Sequence, residues 1–177
     1  SICLHTEPTC ADGQGHIRAL RHETAGVPLA KGFIKRLTSE VEVGRYVANM
    51  VALHMRPNVI AQGHPKLKTT NRLFDDSLCP EDLLLLCKAD RMGQRKEAGY
   101  GPVEDLLRSR LEAYRETMAK PGVTGKDLVE LGFRPGPAFS EALGFAHKLQ
   151  LAGVEKEEAL SQTKGFLKKY PLLGEDL

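Results

Sequence analysis

Tryptophan is absent from this 177-residue chain, and aromatic residues make up only 6% of it. A nucleic-acid surface built on base stacking therefore has little to work with. No apolar run approaches the roughly 20 residues that a membrane-spanning helix needs, and no leader pattern of charged, apolar and small residues opens the chain. The formal net charge is only +2, too small to argue by itself for nucleic acid or acidic lipid. The four cysteines, Cys3, Cys10, Cys79 and Cys87, include no close-set pair of zinc-ribbon spacing. Two lie in hydrophobic surroundings, so they read as small thiols of a reducing, cytoplasmic protein. What is present is an ordinary apolar and charged composition, at a length that supports one compact domain or two small ones sharing a core.

Helical periods dominate after residue 20 and no alternating strand pattern is convincing, so the expected class is all-α. Residues 1–20 read as irregular. A first helix is predicted over 23–37 with Leu29, Phe33 and Leu37 facing inward. Pro28 must lie in its first turn or bend it, because its missing N–H removes a helical bond. A second helix, 39–55, opens with Ser39 and Glu42 at capping-box spacing. Residues 56–64 (RPNVIAQGH) read as loop, and a short helix follows at 66–75. Pro80 fits the first position of a helix ending near Gly93. A polar connection, 94–101, leads to a long helix from Pro102 with Val103, Leu107, Leu111, Tyr114 and Met118 inward. Lys120-Pro121-Gly122 closes it. Three shorter helices are expected at 124–131, 137–152 and 155–169, the first two separated by the turn Leu131–Pro137.

Two apolar stripes end on a polar residue. Val43, Val47, Met50 and Val51 lead to His54, while Leu83, Leu86 and Cys87 lead to Asp90. Residues three and four apart share a helix face, so both polar groups should point inward. A buried imidazole or carboxylate without a partner is costly, and a shared metal ion is one way to satisfy it. A hydrogen-bonded core histidine and an interior aspartate paired with arginine are the plainer alternatives, and spacing leaves both open. In chain order the residues suited to metal or acid–base work are His5, His22, His54 and Asp90. Imidazoles mixed with a carboxylate suit Mn, Fe, Co, Ni or Zn better than Mg. Such an ion polarises phosphate and makes hydroxide from water near neutral pH.

The strings R-H-E-T-A-G (21–26), V-A-L-H-M-R-P (51–57) and L-L-C-K-A-D-R-M-G-Q-R (85–95) resemble the histidine–aspartate (HD) phosphohydrolase superfamily. More specifically, they resemble the HD domain in the C-terminal half of bacterial CCA-adding tRNA nucleotidyltransferases. V-T-G-K-D-L-V-E-L-G-F-R-P-G-P-A-F-S-E-A-L (123–143) is similar to the segment that follows the HD core there. The resemblance implies an HD-like helical core over 1–100 and a helical extension over 101–177. It implies a divalent transition metal held by His5, His22, His54 and Asp90, with His22 and His54 also catalytic. The implied activity is hydrolysis of nucleotide or RNA-end phosphate esters, including 2′,3′-cyclic nucleotides and 2′-phosphates.

The chain departs from that pattern in two places. His5 is followed by Thr6-Glu7-Pro8-Thr9, where a family member would read His-Asp-x-Gly-Lys; Glu7 and Asp12 are nearby carboxylates that could substitute. The Gly-Ser plus Asp-x-Asp signature of nucleotide addition is also absent, so this sequence as it stands should not add CCA. Arg72, Arg91 and His64 are candidate contacts to substrate phosphate, with Lys66 and Lys68 bordering Arg72 in a small basic patch. Their plainer reading is a solvated surface. His16 and His147 read as surface positions, and Lys164, Lys168 and Lys169 as complements to a helix dipole. The competing functions are a tRNA-binding body with no hydrolytic chemistry of its own, and a nucleotide-sensing domain that keeps the pocket without turnover.

Overall fold

Proline, glycine and short polar side chains divide this chain into helices of one to five turns. The computed structural model describes residues 9–11, 17–19, 21–93 and 100–169. Among them the order is a hairpin of β1 (Thr9–Ala11) and β2 (Ile17–Ala19), then α1 (His22–Leu37), α2 (Val41–Leu53), α3 (Arg56–Gln62), α4 (Leu67–Asp76) and α5 (Pro80–Gly93). These are followed by α6 (Tyr100–Ala119), α7 (Gly125–Glu130), α8 (Pro137–Leu151) and α9 (Lys156–Lys169). The fold is all-α. The hairpin, antiparallel with Cys10 opposite Arg18, falls where irregular chain was expected. Three-residue strands are too short to write an alternating pattern into the sequence.

The chain divides into two compact units, one formed by 1–65 with 73–108 and the other by 66–72 with 109–177. In the first, α1 and α2 pack along each other through small residues. Gly26 and Ala30 of α1 and Ala48 of α2 are buried, and a Cβ on Gly44 would meet Ile34 at 3.9 Å. That close approach turns the larger side chains of α1 away. Leu29, Phe33 and Leu37, expected inside, are 46%, 59% and 66% exposed. Pro28 lies in the second turn of α1, not the first. Helix α2 starts at Val41 after Glu40, with no side-chain cap, so the Ser39–Glu42 box does not form. Thr38 Oγ1 instead accepts the Glu40 N–H at 3.1 Å.

The segment 56–62, expected as loop, is helical. Pro57 sits in the first turn of α3, where its missing N–H has no helical partner to lose, and both Pro57 and Asn58 are buried. Pro80 begins α5 as expected. Leu83 and Cys87 are fully buried, whereas Leu86 is 39% exposed and so leaves the expected stripe. Asn49 closes the α4–α5 turn from α2, donating to the Asp76 carbonyl at 2.9 Å and accepting the Leu78 N–H at 3.0 Å. Tyr46 donates to Asp82 at 2.7 Å. That bond pushes the phenol up to about 12 and holds the Asp82 carboxyl below its usual range. Of the α6 stripe, Leu107 and Leu111 are buried; Val103, Tyr114 and Met118 are half-buried.

In the second unit α8 packs on α9, with Phe145 stacked on Phe166 at 4.8 Å. Leu128, Ala142 and Leu167 form its buried cluster, with Phe133 and Phe139 against them. Helix α7 has a complete capping box: Thr124 accepts the Asp127 N–H, and Asp127 accepts the Thr124 N–H at 2.7 Å. It ends in a Schellman turn. Gly132 takes φ 89°, its N–H reaches the Val129 carbonyl, and the Phe133 N–H reaches Leu128. Asn71, fully buried, donates to the Leu151 carbonyl in the last turn of α8 at 2.9 Å.

Two outcomes follow for this unit. Replacing Asn71→Asp puts a carboxylate oxygen against the Leu151 carbonyl and should lower unfolding free energy by about 2–4 kcal/mol. Denaturant titration checks it, and unchanged stability contradicts the assignment. The Lys156 ammonium, 2.8 Å from Asp127, and the Thr124 bonds hold that carboxyl down at about 2 from 3.8. A depressed folded-state value contributes stability above the unfolded value, and that contribution fades as pH falls from about 4 to about 2. Asp127→Asn should therefore show a shallower loss of stability over that window than the wild type.

Candidate metal centre at the open end of the α1–α2 hairpin

Helices α1 and α2 have 16 and 13 residues and are joined by three. At 1.5 Å per residue they run about 24 and 20 Å, so a hairpin returns the end of α2 to the start of α1. His22 is the first residue of α1 and His54 caps α2. Their Nε2 atoms lie 3.2 Å apart, with ring centroids 5.2 Å apart and planes at 61°. Both side chains are half-buried.

The second nitrogen of His54 is also committed. Its Nδ1–H donates to the Val51 carbonyl at 2.7 Å. Val51 is in the last turn of α2, where carbonyls lack helical partners, so the ring fills a vacancy the helix end creates. This bond selects the tautomer with its lone pair on Nε2, aimed at His22. On the other ring, His22 Nδ1 lies 3.8 Å from the Glu23 carboxylate. The sequence marks Val51 only as an apolar stripe residue and gives Glu23 no role. The i, i+3 spacing of Val51 and His54 at a helix end was the available signal.

Two cis ligands about 2.1 Å from one ion, in tetrahedral or octahedral arrangement, stand about 3.0–3.4 Å apart. The His22–His54 separation falls in that interval. A carbonyl holding the far nitrogen of a ligating imidazole is the usual outer contact of such sites. The separation is compatible with two ligands of one ion and equally with a single N–H···N hydrogen bond between the rings.

The other expected site residues fall as follows. Asp90 is half-buried on α5 and lies near the Cys87 thiol, whose value burial pushes up. Among the described residues no group of three or more His, Cys, Asp or Glu side chains is gathered to hold an ion, so Asp90 is not collected with the two histidines. His5, with Glu7, Asp12 and His16, lies outside the described residues. Arg91 is half-buried beside Cys87 and Tyr100, and its Nε is enclosed with no hydrogen-bond partner among the described residues. His64 is exposed after α3 at φ 49°. Arg72 is exposed on α4 and belongs to the other unit. His147, expected on the surface, is half-buried in α8.

No family model, curated protein or solved structure matches this chain. No described helix is long and apolar enough to cross a membrane.

The tautomer assignment has a direct check. Long-range nitrogen–proton NMR correlations should show neutral His54 protonated at Nδ1. A ring protonated at Nε2 instead would contradict the aim of its lone pair.

Proposed function

We propose that this chain is a metal-dependent phosphohydrolase of the HD type, acting on nucleotide or RNA-end phosphate esters. The observation that carries the proposal is the His22–His54 pair, with two ring nitrogens 3.2 Å apart and the far side of one ring held by a backbone carbonyl. In this reading His22 and His54 hold the ion; the resemblance assigns His5 and Asp90 to the same shell, but Asp90 is not gathered with the pair among the described residues. The bound ion would lower the charge barrier at phosphorus and supply hydroxide at neutral pH.

The chain's own groups then have separate tasks. The Val51 carbonyl keeps His54 in the tautomer that can ligate. Glu23 places a carboxylate 3.8 Å from His22 Nδ1. The Nε–H of Arg91, without a hydrogen-bond partner among the described residues, is a donor suited to a phosphate oxygen, since guanidinium matches the geometry of phosphate. His64 and Arg72 are further exposed donors for the same substrate class. In the reaction the water oxygen bonds to phosphorus, the ester P–O bond breaks, and the leaving oxygen takes a proton.

The test is hydrolysis of bis(p-nitrophenyl) phosphate and of 2′,3′-cyclic AMP after loading with Mn, Co or Ni, with bound metal measured by mass spectrometry. Expected results are activity that chelator abolishes, and loss of both metal and more than about 100-fold of the rate on His54→Ala. Arg91→Ala should raise KM with bound metal unchanged. No hydrolysis by metal-loaded protein, together with unchanged metal content in His54→Ala, would falsify the proposal.

A further inference from the structure

We draw no further inference here: the strongest candidate, the apolar surface patch of Leu29, Phe33 and Leu37 that α1 leaves exposed, carries nothing because nothing in the structure shows what covers it.

Discussion

Two imidazole nitrogens 3.2 Å apart, one with its lone pair already aimed at the other, form an arrangement with few stable states. Two facing lone pairs repel, and two facing N–H groups repel as well. What remains is one proton between the rings or one cation coordinated by both. The Val51 carbonyl narrows the choice by claiming the other proton of His54, and the hairpin sets the distance. The functional reading depends on this contact more than on the fold class, which many functions share.

The same hairpin explains the most prominent surface feature. Gly26 and Ala30 on α1, with Gly44 and Ala48 on α2, let two backbones come close. Close approach lines up the helix ends that carry His22 and His54. It also leaves no room between the helices for Leu29, Phe33 and Leu37, which stay outside. One packing choice thus connects the site at the open end with the apolar stripe along the helix. Elsewhere in this unit polar ties hold the turns: Asn49 at the α4–α5 corner, Tyr46 on Asp82, and Lys88 and Arg108 on Glu104, whose carboxyl they hold below its usual range.

Much of the helix order was legible because proline, glycine and capping residues mark ends locally. Pro80, Thr124 with Asp127, and Lys120-Pro121-Gly122 all stand where their chemistry says a helix begins or stops. Misreadings arose where the outcome depends on the partner surface. Leu29, Phe33 and Leu37 make a better hydrophobic stripe than Gly26 and Ala30, yet the smaller residues face α2 because closeness favours them. Arg56 to His64 looks like a turn until Pro57 is seen in a first helical turn with Asn58 buried behind it. At the site, His54 was legible as a polar end to an apolar stripe and His22 as a residue type suited to metal, while their pairing was implied only by family resemblance. Asp90 shares the period of its helix with Leu83 and Cys87, but periodicity carries no information on which neighbouring helix a residue will meet.

The central claim is that His22 and His54 coordinate one ion. X-ray absorption fine structure of the protein loaded with one equivalent of cobalt addresses it most directly. The account predicts imidazole scattering from two rings at about 2.0–2.2 Å, lost when either histidine is replaced. A shell of oxygen alone, or a spectrum that His22→Ala and His54→Ala leave unchanged, would contradict it.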